Sequence, residues 1–272
     1  MAIDVRWGSA THQGRVRDHN EDSVLSGPDV FAVADGMGGH AGGAVASALA
    51  VAGLAALPDL HEAPDPAASL VRALCDINTE IRRRAVLDDK AGMGTTVAGI
   101  ARISGPRLLV FNVGDSRVYR LRAGQLEQLT EDHSVVGELV RAGRLTEEEA
   151  RAHPHRNVIT RALGVEPHVE PATSVVDVQV GDCFLVASDG LFNELGDTQI
   201  GDVLSTPGTV EHRARPARGR PAPRGSGQRL RRGRGRRGHG GQRRPRGRHL
   251  AVGPRSPPPP GPPAGHHGRP AL

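Results

Sequence analysis

Cysteine is nearly absent from this 272-residue chain, which has only Cys75 and Cys183. Two irregularly placed thiols support neither a disulfide framework nor a structural zinc site, so a reducing compartment is expected. No stretch approaches the roughly 20 apolar residues needed to span a bilayer. Residues 1–8 also lack the basic region and apolar run of a signal peptide. The expectation is a cytoplasmic protein with no membrane association. Lysine occurs once, at Lys90, while Arg, Ala, Gly and Pro abound, as in translation from a GC-rich genome. Aspartate is missing after Asp202, and residues 208–272 hold one acidic residue, Glu211, against 17 of the 35 Lys and Arg. The formal charge of +5 therefore hides a body, residues 1–207, with 18 basic and 29 acidic residues and a net charge of −11. An acidic body disfavours nucleic acid as a partner and suits cations.

What is present is patterned. Residues 5–12 and the apolar run Val30-Phe31-Ala32-Val33-Ala34 read as strands, the second suited to a buried position. A Gly-rich turn over 36–43 follows. The Ala/Leu/Val stretch 44–57 reads as a helix stopped by Pro58, and 66–87 as a second helix with Leu70, Leu74, Ile77 and Ile81 at helical spacing. Four β-rich runs come next, at 95–103, 107–113, 117–122 and 125–129. The turns between them, Ser104-Gly105-Pro106, Gly114-Asp115-Ser116 and Ala123-Gly124, predict an antiparallel meander. Residues 134–153 are helical in pattern, and Thr146-Glu147-Glu148-Glu149 predicts a capping box. Strands return at 173–180 and 182–187, with a helix over 198–204. This order argues for an α+β fold with helices outside antiparallel sheets. Beyond about Pro207 the chain is Arg/Gly/Pro-rich without hydrophobic periodicity, and is expected to be disordered.

Acidic residues gather in four segments. Arg17-Asp18-His19-Asn20-Glu21-Asp22 packs carboxylates side by side, which repel unless solvated, paired or on a metal. Taken alone, this segment also suits a solvated charged loop. Asp35-Gly36-Met37-Gly38-Gly39-His40 leaves a buried strand, and Gly36 lets the backbone approach closely enough for its carbonyl to join a coordination shell. Asp115 lies in a tight turn and taken alone is equally a turn former. Asp189 follows the apolar run 183–187 and again heads an Asp-Gly pair. Turn chemistry alone does not explain two such exits from buried strands. Hard divalent ions, Mg²⁺ or Mn²⁺, prefer carboxylate, carbonyl and water oxygens. A pair of them can activate water and neutralise a phosphoryl group, beside which an arginine fork such as Arg17 would bind two phosphate oxygens. The residues thus point to a metal-dependent phosphate-ester hydrolase.

Together, Arg17 with Glu21-Asp22, Asp35 to His40, Gly94-Thr95-Thr96, Gly114 to Arg117, Asn157 to Gly164 and Ser188-Asp189-Gly190-Leu191 resemble, in order, the bacterial protein phosphatase 2C family over about residues 5–205. The resemblance implies a four-layer α/β/β/α sandwich of two antiparallel sheets flanked by helices. It also implies Mn²⁺- or Mg²⁺-dependent hydrolysis of phosphoserine and phosphothreonine in proteins, with two to three ions. Carried over by position, Asp35 bridges two metals, Gly36 (carbonyl) and Glu21 bind one, and Asp189 binds the other. Asp115 serves with Asp189 at a third, weaker site. Asp22 orients a water, Arg17 holds the phosphate, and residues 131–160 form a variable flap beside the site. The implied partners are phosphoproteins targeted by Ser/Thr kinases, and the implied state is a monomer. Met37 stands where many eukaryotic members have a histidine proposed as general acid, and His40 remains open between a catalytic and a structural role.

The family pattern closes with an Asp-Asn pair before a final strand, and this chain has no such Asp. Residues 1–207 are therefore expected to form a catalytic domain lacking its final strands and one metal ligand. The tail, 208–272, reads either as the product of a frame shift near 206–210 or as a nucleic-acid-binding Arg/Gly segment. The second reading is weakened by the lack of any aromatic residue to stack on bases. A truncated, inactive regulatory or binding module is the alternative function. A dinucleotide site at Gly36-Met37-Gly38-Gly39-His40-Ala41 is disfavoured, because Asp35 would repel a pyrophosphate and helices rather than a strand follow. Thiol-based phosphoryl chemistry is excluded: Arg82 lies one residue too far from Cys75, and Cys183 has no arginine in reach.

Overall fold

A computed structural model describes residues 5–13, 19–38, 42–208 and 250–254. Two antiparallel sheets lie face to face. One has the order β1 (Val5–Gly8), β11 (Leu250–Pro254), β10 (Cys183–Ala187), β7 (Arg117–Arg122), β8 (Gln125–Gln128). The other runs β2 (Asp22–Ser26), β3 (Val30–Met37), β5 (Val97–Ile103), β6 (Arg107–Val113), β9 (Ala172–Asp177), with the short β4 (Gly94–Thr95) paired to the end of β3. Helices α1 (Gly42–Ala55) and α2 (Pro66–Leu87) cover the outer face of the β3 sheet. On the outer face of the β10 sheet lie α5 (Asp189–Phe192) and α6 (Asp197–Ser205). The helices α3 (Val135–Arg141) and α4 (Glu147–Ala152) fill the connection between β8 and β9. The result is the expected α+β four-layer sandwich. Among the described residues no helix is long and apolar enough to cross a membrane.

The period-2 alternation of the strands divides the core into layers. Phe31 and Val33 of β3, Ile100 of β5, Val110 of β6, and Phe184 and Val186 of β10 fill the space between the sheets. Residues of opposite parity, Ala32, Ala34, Leu109 and Phe111, face α1 and α2, where they meet Leu54, Leu70, Leu74 and Ile81. On the far side, Tyr119, Leu121, Cys183 and Leu185 pack against Ile200 and Leu204 of α6. The helix boundaries follow from local chemistry. Asp65 caps α2 by accepting from Ala68 N at 2.9 Å with Pro66 next to it, and Thr146 and Glu149 form the capping box predicted for α4.

Two differences from the sequence reading stand out. The runs 107–113 and 117–122 are not consecutive strands of one meander: β6 and β7 belong to different sheets, and Gly114-Asp115-Ser116 carries the chain across. A Gly-Asp-Ser turn serves a hairpin or a crossing equally well, so turn chemistry could not separate them. Strand β2 was not foreseen, because its polar ends, Asp22, Ser23 and Ser26, mask the pair Val24-Leu25. A short strand, Leu250–Pro254, pairs antiparallel with β1 on one side and β10 on the other. This is where the apolar triplet Leu250-Ala251-Val252 interrupts the polar tail. The rest of the expectation for the tail, over 209–249 and 255–272, lies outside the described residues.

Candidate metal centre

Alternation and register bring the acidic residues to one end of the sandwich. Asp35 has the parity of Phe31 and Val33, so it continues the inter-sheet face of β3 where the apolar run ends. Asp22 is its cross-strand partner in the β2–β3 ladder. Ser188 has the parity of Phe184 and Val186, and its hydroxyl donates to Asp22 Oδ2 at 3.0 Å, joining the two sheets. Asp189 follows as the first residue of α5. Asp115 sits in the crossing loop. Exposure is 3% for Asp35, 6% for Asp115, 2% for Asp189 and 9% for Asp22, whereas Glu21 is half-buried.

Hydrogen bonds fix the frame around these carboxylates. Asp35 N donates to Thr96 Oγ1 at 3.2 Å, and Thr96 N donates back to the Asp35 carbonyl at 3.0 Å. Thr96 Oγ1 lies 2.7 Å from Ser116 Oγ, which ties β3 to the crossing loop beside Asp115. Gly114 has φ +106°, and a Cβ there would come within 2.6 Å of Thr96 Cγ2, so the crossing requires glycine. Buried His133 completes the loop: its Nδ1 accepts from Gly114 N at 3.1 Å, and the His133 backbone N–H donates to the Gly114 carbonyl at 2.9 Å. Burial, reinforced by the positive charges of Arg161 and Arg141, lowers the His133 pKa to about 4, so the ring is neutral and able to accept near neutral pH.

Glu21 and Gly36 are brought together by the backbone. Gly36 N donates to the Glu21 carbonyl at 3.1 Å, and that carbonyl also accepts from Ser47 Oγ of α1 at 2.6 Å. Helix α1 begins directly against this pair. A Cβ on Gly36 would fall 2.1 Å from the Gly43 carbonyl oxygen, and one on Gly43 would fall 2.8 Å from Glu21 Oε1. Two glycines therefore let the helix reach the site. Ser47 and His133 carry no motif in the sequence, whereas Thr96, Ser116 and Ser188 stand in the motifs quoted above without a role of their own. For Ser188 the role was readable from its parity with Phe184 and Val186.

The donor set suits a hard divalent ion. Asp35 Oδ2, Asp115 Oδ1 and Asp189 Oδ1 are buried oxygens that accept no hydrogen bond, although each carboxylate makes other polar interactions. Among the described residues no group of three or more His, Cys, Asp or Glu stands close enough to hold a metal ion by itself. Mg²⁺ and Mn²⁺ sites take a few carboxylate and carbonyl oxygens and keep several waters. Arg17 and His40 lie outside the described residues.

Comparison with known proteins places this arrangement. The family model of protein phosphatase 2C matches residues 9–218. The serine/threonine protein phosphatase PstP of Mycobacterium tuberculosis is 42% identical over 212 residues, which are 78% of this chain and 41% of the relative. The chain thus spans less than half the length of that protein. The serine/threonine phosphatase stp of Listeria monocytogenes is 41% identical over 214 residues, 75% of this chain and 84% of the relative. A solved catalytic domain of PstP in complex with two manganese ions superposes with a TM-score of 0.71 at 40% identity, covering 78% of this chain and 89% of that one. The chain belongs to the protein phosphatase 2C family.

Proposed function

We propose that this chain is a metal-dependent protein serine/threonine phosphatase. The observation that carries the reading is the burial of Asp35, Asp115 and Asp189, each at most 6% exposed, where the two sheets meet, in a chain of this family. Buried carboxylates cost several kcal/mol each unless compensated by hydrogen bonds or cations. When bound, Mn²⁺ or Mg²⁺ would supply charge for the phosphoryl oxygens and acidify a water, as two-metal hydrolases require. Asp35 would hold both ions, Glu21 and the Gly36 carbonyl one, Asp189 the other, and Asp115 with Asp189 a third. Asp22, its carboxylate oriented by Ser188, would align the attacking water. Arg17 would bind the phosphate through its fork. The relatives named as serine/threonine phosphatases support phosphoproteins as the substrate class, in opposition to Ser/Thr kinases. A monomer acting in the cytoplasm is part of the same reading.

The test is hydrolysis of a phosphothreonine peptide and of p-nitrophenyl phosphate by the full chain with Mn²⁺. Activity lost with EDTA and in Asp35→Asn supports the reading. A full chain without Mn²⁺-dependent hydrolysis would leave the inactive binding module in its place.

A further inference from the structure

Arg117 directly follows the Asp115-Ser116 crossing, and its guanidinium is engaged by protein groups on its edge and one face. Nε donates to Asp132 Oδ1 at 2.8 Å, Nη2 to Asp132 Oδ2 at 2.6 Å, and Nη1 to the Tyr119 hydroxyl at 2.9 Å. Its face covers the ring of Phe192, with the guanidinium carbon 4.0 Å from the ring centroid. Burial disfavours the charge, but the bidentate carboxylate outweighs it and holds Arg117 more firmly cationic than usual. Asp132 is itself fixed, accepting from Gln128 Nε2 at its side chain (3.1 Å) and from Arg141 Nη1 of α3 at its carbonyl (3.0 Å).

Phe192 is the last residue of α5, and Asp189 is the first. This helix has four residues and no side-chain cap, because the Ser188 hydroxyl, which would ordinarily cap it, is committed to Asp22. One uncapped turn is not self-sustaining. It must be held from outside, and a planar cation pinned by a carboxylate provides a flat, rigid surface for Phe192. The same arginine is two residues from Asp115. One side chain therefore touches or adjoins the elements that carry two of the candidate metal ligands.

Building on the metal reading above, we propose that Arg117, clamped by Asp132 and stacked on Phe192, is a positioning residue that sets the placement of Asp189 relative to Asp115 and thereby the affinity for divalent cations. Its fork is spent on Asp132 and Tyr119, so it acts through the ligands and not on the phosphate. A lysine could replace the charge but neither the bidentate contact nor the stacking face.

Mn²⁺ binding to the full chain, measured by calorimetry and by the paramagnetic signal of free Mn²⁺, tests this without relying on turnover. The set is wild type, Asp189→Asn, Phe192→Leu, Phe192→Tyr and Asp132→Asn. Phe192→Leu keeps an apolar side chain at this half-buried position and loses the π-face together with some volume. Phe192→Leu and Asp132→Asn are each expected to weaken Mn²⁺ binding on the order of tenfold, the usual scale for residues that orient metal ligands. Phe192→Tyr, which restores the ring, is expected to bind within about threefold of wild type, inside that scale. Wild-type affinity in Phe192→Leu, or an equal loss in Phe192→Tyr, would overturn the positioning role while leaving the metal reading intact. A wild type that binds no Mn²⁺, or no better than Asp189→Asn, would overturn both.

Discussion

Ser188 donates its hydroxyl to Asp22 Oδ2 at 3.0 Å across 166 residues of sequence, and both residues are buried where the two sheets face each other. A hydrogen bond to a buried carboxylate is worth more than one between neutral groups, and losing the donor leaves the acceptor desolvated. Ser188→Ala is therefore expected to lower unfolding stability by about 1–3 kcal/mol. Urea denaturation at neutral pH reads this directly. A loss within experimental error would show that water replaces the hydroxyl and that the sheets are joined at this end by packing alone.

Asp35 and Asp22 face each other in register, so without cations the two carboxylates repel. Asp35→Asn relieves that repulsion, and the metal-free protein should gain stability by up to about 1 kcal/mol. Hydrolysis should fall at least a hundredfold, since the loss of residues that merely orient metal ligands already costs about 10- to 100-fold. In wild type, Mn²⁺ at about 100 times its dissociation constant should add about 2.7 kcal/mol, and EDTA should remove it. Thermal melts of both proteins with and without Mn²⁺ check all three signs. A fully active Asp35→Asn, or one still stabilised by Mn²⁺ like wild type, would contradict the assignment.

Helix α1 reaches the site only because Gly36 and Gly43 lack side chains. A Cβ on Gly43 would lie 2.7 Å from the backbone carbon of Gly36 and from Met37 N, and backbone cannot rotate aside as a side chain can. Gly43→Ala should cost about 1–3 kcal/mol, the usual range for overpacking. It should also weaken Mn²⁺ binding, because the displaced helix would press on Glu21. Destabilisation without any effect on Mn²⁺ affinity would separate helix packing from the site.

The sequence announced its buried strands and their acidic exits because both signals are local. Apolar runs at 30–34 and 183–187 ending in Asp-Gly need no tertiary information, and the capping box at Thr146 and Glu149 is complete within four residues. What escaped was set at long range. The crossing at 114–116 looks like a hairpin turn until the partners of β6 and β7 are known: β5 and β9 flank β6, and β8 and β10 flank β7. The bond from Ser188 to Asp22 depends on which faces of two sheets meet. The clamp on Arg117 draws on Asp132 and Phe192, 15 and 75 residues away, neither of which carries a motif.

His133 gives the fold a pH dependence that can be signed in advance. Its pKa is lowered from 6.5 to about 4, chiefly by burial and then by the nearby charges of Arg161 and Arg141, with Asp132 and Glu138 pulling the other way. In the unfolded chain it takes up a proton as pH falls through about 6.5, and in the folded protein only near 4. The unfolded state therefore binds the extra proton between these values, so stability is complete above pH 6.5 and declines as pH falls toward 4, by up to about 1.4 kcal/mol per pH unit. Protonation would also place an N–H opposite Gly114 N, replacing the acceptor that fixes the crossing loop. His133→Asn can still accept from Gly114 N but cannot titrate, so it should flatten this slope while costing only a modest loss at pH 7. Urea denaturation of both proteins at pH 7, 6 and 5 decides it: parallel declines would place the acid sensitivity elsewhere in the fold.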